Sequence, residues 1–327
     1  MMHYHDPVYG DATIHAPVLH DLLASKALQR LHHISQNGYY TPFMPGPDFS
    51  RFEHSIGVML LLDRFGASLE EQTAGLIHDV SHSAFSHCID YVLADSGAQQ
   101  DYQDRIHDTY VHKSDIPPIL AHHALSLDAV LDDTRHPLKE QPLPDLCADR
   151  IDYALRTAVH YREIKQHDAA SFLSYLTIQN QRWAFRDEKS AQAFATLFRH
   201  LNTTYLSGLP SALMFRTVGD YLQYALAHTY ILHEDLYTTD AAVLAKIAEH
   251  HEHDFHLHNL FQRMNRRIPY IVKSGEGVPV TICKSRAIDP GVLHEGTIKP
   301  LSALDPQWKE IIEQESQPKR YPIQFTS

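Results

Sequence analysis

Cysteine is scarce in this chain. Only Cys88, Cys147 and Cys283 occur in 327 residues, far apart from one another. That excludes a disulfide framework and a metal site built on clustered thiolates. No apolar run approaches the length needed to cross a bilayer, and the first residues lack a basic segment followed by an apolar stretch. A cytoplasmic protein without a membrane partner is therefore expected. Internal repeats and low-complexity linkers are missing too. Basic residues are in deficit, 28 against 40 acidic, and the resulting net charge of −12 argues against broad contact with nucleic acid. The hydrophobic fraction of 43% is enough for one large domain with an appendage.

Histidine, by contrast, is abundant, with 26 copies. His3, His5, His250, His251, His253, His256 and His258 read as a polar tail and a solvated helix face, which need no chemical explanation. The informative histidines are those tied by spacing to carboxylates. The densest stretch is His78-Asp79-Val80-Ser81-His82-Ser83-Ala84-Phe85-Ser86-His87. It follows an apolar helical run, and His82 falls one helical turn after His78. A buried helix that ends in His-Asp needs a cation or hydrogen-bond partners for its carboxylate.

Taken in order, the chain opens with a turn signal between β-prone pieces within residues 6–20, which predicts a small hairpin. Helical spacing follows over 17–35, over 51–65 and over 70–80, then at about 86–95, 102–111 and 117–132. Segment 146–156 is strongly helical and places Asp149, Asp152, Tyr153 and Arg156 on one polar stripe. Residues 168–182 and 188–235 read as helical, with a break at Gly208-Leu209-Pro210, and so do 240–265. Residues 270–282 resemble two strands about a Gly-rich turn, 283–299 a second strand pair, and 303–315 a terminal helix. The expected division is a helical domain over 1–235 and a small α+β subdomain over 236–327.

His54, His78, Asp79 and Asp149 can complete a mononuclear metal site. Two imidazoles and two carboxylates suit Mn, Fe, Zn, Ni or Co, and leave positions open for substrate oxygens. His107-Asp108 is a further imidazole–carboxylate pair, readable as a general acid or as a solvated helix pair. Arg51 and Arg150 neighbour two proposed ligands, either to clamp phosphate oxygens or to pair with Glu53 or Asp152.

These motifs together resemble the HD-domain metal-dependent phosphohydrolases. They are Arg51-Phe52-Glu53-His54, His78-Asp79 with His82 and His87, and Asp149-Arg150-Ile151-Asp152-Tyr153. The similarity is greatest to the branch of deoxynucleoside triphosphate triphosphohydrolases, whose opening Asp6-Pro7-Val8-Tyr9-Gly10 and Gln29-Arg30-Leu31 through Gln36 also match. The resemblance covers about residues 4–230. It implies a mainly α, helical HD-domain fold with a small α+β appendage at the C-terminal end.

The same resemblance implies one divalent ion, with manganese and magnesium among the candidates, on His54, His78, Asp79 and Asp149. It makes His107, Asp108 and His82 catalytic. It assigns phosphate contacts to Arg51, His87 and Arg150, as well as His82, and sugar contacts to Gln36, Tyr153 and Tyr205. Thr157 departs from the branch, standing where its members carry an aspartate for the sugar 3′-hydroxyl. Ala24 and His32 stand where nucleotide-activated members carry an aspartate and an arginine. The expected activity is therefore nucleotide phosphohydrolysis, of the triphosphohydrolase type, in a homo-oligomer. The alternatives are a nucleotide monophosphatase or phosphodiesterase, and a nucleotide-binding regulator without turnover.

Overall fold

The architecture comes from a computed structural model that describes residues 1–44, 46–93 and 100–326. A hairpin is present, but earlier than the expected 6–20, as β1 (Met2–Asp6) and β2 (Gly10–Ile14), with Gly10 at φ 77° closing its turn. The helical stretch expected over 17–35 is divided. Pro17 opens α1 (Pro17–Leu23), and Ser25 caps a new start at α2 (Lys26–Arg30) by accepting from the Leu28 amide.

Helix α3 (Arg51–Arg64) is the hub. Ser50 and Glu53 form a capping box at its start, and from Phe52 to Leu62 nearly every residue is buried. A helix buried all round packs on several partners at once. One flank (Phe52, Ile56, Met59, Leu60) joins the core shared with α1, α2 and α4 (Leu69–Ile77). The opposite flank (Val58, Leu61, Leu62) joins the core of α8, described next.

Between them lie α5 (Tyr102–Lys113), α6 (Ile116–His122) and α7 (Leu127–Leu131), the last two separated at Ala124, whose φ of 56° breaks the helix expected over 117–132. The segment expected to be helical from 86 to 95 forms a 3₁₀ turn over Ser86–Tyr91, and its end lies outside the described residues. Helix α8 (Ala148–His160) crosses α3 where Gly57 permits it: a Cβ there would lie 2.0 Å from Arg156 Nη2 and 2.1 Å from Asp152 Oδ1.

The helix expected over 168–182 stops early. After α9 (Gln166–Tyr175) the chain turns into β3 (Leu176–Gln179) and β4 (Arg182–Phe185), joined by Asn180 and Gln181 at φ 51° and 57°. Two left-handed residues suit a tight hairpin turn, but without glycine the sequence hid it. Helices α10 (Glu188–Leu201) and α11 (Leu209–Ala227) follow, linked by a π-helical turn, Asn202–Leu206. Helices α12 (Asp240–Ala248) and α13 (Phe255–Met264) pack with α11 in a further core.

Strands β5 (Tyr270–Val272) and β6 (Val280–Cys283) do not form the expected hairpin. The terminal strand β9 (Lys319–Phe325) lies between them, antiparallel to both. Pro322 disguised that strand in the sequence, since proline in a central strand removes a ladder donor. The expected second pair exists as β7 (Gly291–His294) and β8 (Thr297–Pro300), and β7 adds parallel to β4. Helices α14 (Leu301–Leu304) and α15 (Pro306–Glu315) cover that sheet. Strand pairing and core packing thus both run across residue 235. The fold is mainly helical, with a two-stranded sheet at its start and two larger sheets completed by the later part of the chain. Among the described residues, no helix is long and apolar enough to cross a membrane.

Candidate metal centre and cavity

Three side chains from three helix ends or turns converge. His54 lies in the first turn of α3, His78 caps the C-terminal end of α4, and Asp149 lies in the first turn of α8. His54 Nε2 is 2.9 Å from Asp149 Oδ1 and 3.2 Å from His78 Nε2, and His78 Nε2 is 3.5 Å from the same oxygen. Metal–ligand bonds of about 2.1 Å set neighbouring donors roughly 3.0 Å apart around an octahedral ion and roughly 3.4 Å apart around a tetrahedral one. The observed spacings bracket both. Asp79 sits beside the group, with Oδ1 3.5 Å from His78 Nε2 and Oδ2 3.8 Å from His54 Nε2.

The outward ring nitrogens are committed elsewhere, as metal-binding histidines require. His78 Nδ1 lies 2.7 Å from the Gly75 carbonyl, so it donates and leaves Nε2 free. His54 Nδ1 lies 2.7 Å from Asp152 Oδ2. Asp152 also accepts from Tyr9 Oη at 2.8 Å and from Arg156 Nη2 at 2.9 Å, and Arg156 reaches Asp6 Oδ2 at 3.0 Å. The N-terminal Asp6–Gly10 motif therefore acts on His54 through two buried side chains, a role that no spacing within the motif announces.

Burial drives the His54 pKa down, but Asp149 and Asp152 override it and hold it up at about 9. Asp149 is opposed by burial yet held well below the carboxylate range by His54 and His78. A proton shared within this cluster marks a place where the field favours a cation. The donor set and its geometry fit a divalent ion.

Several expectations need correction. Helix α4 ends at Ile77, so His82 is not carried on a continuing helix. A turn from the Asp79 carbonyl to the His82 amide, 3.0 Å, places it instead, with Nε2 3.3 Å from Asp79 Oδ1. Asp108 does not orient His107, because consecutive residues on a helix point apart. Ser81 does so: its hydroxyl donates to Gln103 Oε1, so its oxygen accepts from His107 Nδ1 at 3.1 Å. His107 Nε2 is thereby left as an acceptor. Burial, then the nearby charges of Lys139 and His78, depress its pKa to about 4, so it rests neutral and not in the protonated form that a resting general acid needs.

Neither arginine makes the ion pair with Glu53 or Asp152 that was the alternative to phosphate contact. Arg51 pairs with neither Glu53 nor Asp152; its Nη1 is 2.5 Å from Asp79 Oδ2, with Nε on Ser86 Oγ and Nη2 on the Gln36 carbonyl. Arg150 spends its guanidinium on the Asp145 and Gln141 carbonyls, Cys147 Sγ and Glu140. His87, with Nδ1 3.2 Å from Asp90 Oδ2, follows Phe85 and Ser86, both left-handed at φ 62° and 47°. Asp240 pins that kink by accepting from the Phe85 amide at 2.8 Å.

A cavity of about 750 Å³ opens over the centre, and among its lining residues are His78, Asp79, His82, His87, His107, Asp108, Asp149, Arg51, Arg150, Gln36, Tyr153, Thr157 and Tyr205. The sequence reading missed Gln100, Gln103, Asp104, Lys139, Lys284 and Arg286 on the same walls. Gln36 Oε1, Tyr153 Oη and His82 Nδ1 are buried without hydrogen-bond partners among the described residues. The Tyr205 ring lies tilted against Tyr161, with centroids 4.4 Å apart and planes at 31°, and its hydroxyl donates to Glu163 at 2.5 Å. A second cavity, about 630 Å³ beside Lys26, Arg30 and Tyr110, holds none of the candidate ligands.

Residues 51–157 match the family model described as the HD domain, a span that includes all of the candidate ligands. Over 244 residues the chain is 38% identical to the uncharacterized protein YdhJ of Bacillus subtilis, covering 74% of each chain. It is 40% identical over 171 residues to the metal-dependent phosphohydrolase cns2 of Cordyceps militaris, which is 52% of this chain and 49% of that protein. It is 26% identical over 225 residues to the deoxynucleoside triphosphate triphosphohydrolase SAMHD1 of Danio rerio, which is 54% of this chain and 36% of that one. A phosphohydrolase structure from Bacteroides thetaiotaomicron superposes over the full length of both chains with a TM-score of 0.73 at 18% identity.

Proposed function

The chain belongs to the HD-domain family and is a metal-dependent phosphohydrolase, and from that premise we propose that it cleaves nucleotides, releasing triphosphate from deoxynucleoside triphosphates. The observation that carries this reading is the convergence of His54, His78 and Asp149, with Asp79 beside them, at the floor of a cavity lined by cations. The cavity's volume lies within the range of small-molecule sites. The triphosphohydrolase step is supported by the likeness to SAMHD1 and by Gln36 and Tyr153, whose unpartnered polar atoms suit a sugar.

His54, His78, Asp79 and Asp149 would hold the ion, manganese being the first to try. When bound, a divalent ion supplies Lewis acidity, drawing electron density from a phosphoryl oxygen and making water more acidic. The other roles fall to the chain itself. Arg51 fixes Asp79 through a buried ion pair and keeps positive charge beside the reacting phosphate. His107 Nε2, held by Ser81, is an acceptor set to take a proton or hydrogen bond at the cavity wall, and once charged it can return that proton to a leaving oxygen. Tyr205, braced by Tyr161, offers a face on which a sugar or base can stack.

The test is a panel of dGTP, dAMP and a cyclic dinucleotide with manganese and product identification. Triphosphate from dGTP is the expected product. Phosphate from dAMP or a linear dinucleotide would move the assignment to the monophosphatase or phosphodiesterase reading. Tight nucleotide binding by calorimetry without any product would support the regulator.

A further inference from the structure

The cations around the cavity divide according to how far the protein itself occupies them. Arg51 and Arg150 are spent on protein acceptors, and Lys139 is paired with Asp133. Lys284 and Arg286 differ. The Lys284 ammonium has no hydrogen bond or ion pair among the described residues. Among the described residues Arg286 meets only neutral acceptors, Gln100 Oε1 at 3.1 Å and the Lys284 carbonyl at 3.5 Å.

Both belong to the segment leaving β6, where burial alternates: Cys283, Ser285 and Ala287 are buried, and Lys284 and Arg286 are half-buried between them. Period-two alternation sets the two cations on one side of the segment. That segment is anchored. Buried Asn202 donates to Ser285 Oγ at 3.0 Å and accepts from the Arg286 amide at 3.0 Å, and Tyr91 Oη donates to the Ile282 carbonyl at 2.7 Å. Asn202 begins the same π-helical turn that presents Tyr205 to the cavity. The later part of the chain thus reaches the active cavity through a fixed strut.

Cations and carboxylates meet around Lys284. Burial lowers the Lys284 pKa, Arg286 and Arg150 push it the same way, and Asp104 and Asp101 oppose them. Arg286 also bears on His87 and Tyr153, and Lys284 on Asp104. Like charges gathered in a partly desolvated wall, in a chain of net charge −12, call for an anion.

We propose that Lys284 and Arg286 seat the outer phosphates of a nucleoside polyphosphate whose reacting phosphate lies at the His54–His78–Asp149 centre. This inference rests on the phosphohydrolase reading above and specifies its substrate class as polyphosphates in preference to monoesters. The sequence signal, Lys-Ser-Arg after a strand, lies outside the segment matched to the HD domain.

The test begins with calorimetry using inorganic tripolyphosphate, with the same fixed manganese concentration in cell and syringe. The full chain is compared with Lys284→Ala, Arg286→Ala and the double variant, each checked for an unchanged melting temperature. Loss of one charged contact weakens binding by about tenfold or more. The double variant should lose about a hundredfold, and Arg286→Lys should recover part of it. In steady state, the KM for dGTP should rise about tenfold more than that for dAMP. If the double variant binds tripolyphosphate as tightly as the unaltered chain, or if the unaltered chain does not bind it, the inference is overturned. Binding that depends on both residues, without turnover of any nucleotide, leaves the inference standing and defeats the function reading instead.

Discussion

At the floor of the cavity, His54 and His78 have their outward nitrogens tied to Asp152 and to the Gly75 carbonyl, and their inward nitrogens share one point with Asp149. On the walls, Gln36, Tyr153 and Lys284 end in polar atoms without partners among the described residues. The floor is satisfied and preorganised, whereas the wall is receptive. A preorganised floor suits a reaction whose charge appears at one place. A receptive wall suits discrimination among substrates, because a missing ligand group leaves a polar atom unpaired.

The largest effect should come from the floor. Replacing His54 or Asp149 with alanine should lower bound metal and cut turnover by about a thousandfold, several kcal/mol of lost charge stabilisation, read by elemental analysis and phosphate release. A comparable loss from Gln36→Ala would break the distinction between floor and wall. One layer out, Asp152→Asn should weaken metal affinity by about 10–100-fold in a manganese titration, because it frees the His54 ring. Gly57→Ala tests the same layer sterically. Its methyl group would overlap Asp152 and Arg156 and should cost roughly 1–3 kcal/mol in denaturant unfolding.

The pH dependence sharpens the comparison. The folded pKa of His107 is near 4, below the ordinary 6.5, so between these values the unfolded chain binds more protons. Stability from this residue is complete above pH 6.5 and is lost as pH falls from 6.5 towards 4. The loss should be on the order of 2–3 kcal/mol. Chemical denaturation of metal-free protein across that range should show it, and His107→Asn should flatten the slope. The smallest effect should come from the exposed histidines: His253→Ala and His258→Ala should change stability by less than about 0.5 kcal/mol and leave metal content unaltered.

The candidate centre was legible because its members recur at helix ends beside carboxylates, and helix periodicity carries such information locally. His107 shows where that ends. Its sequence neighbour Asp108 looked like the orienting group, yet Ser81, 26 residues away, holds the ring. Arg51 shows the same limit, since its spacing to Glu53 could not reveal a partner at Asp79. Strand β9 was hidden by Pro322, and the β3–β4 turn by the absence of glycine.

By itself the sequence determined a helical frame and the donor types for a metal, since apolar period and ligand chemistry are properties of short segments. Only the tertiary structure decided which atoms meet. Asp6 and Tyr9 reach His54 through Arg156 and Asp152, and Lys284 and Arg286 enter the cavity from the far end of the chain. Those meetings are settled by packing between distant segments, where the burial of each apolar face fixes the position of the polar groups that ride on it.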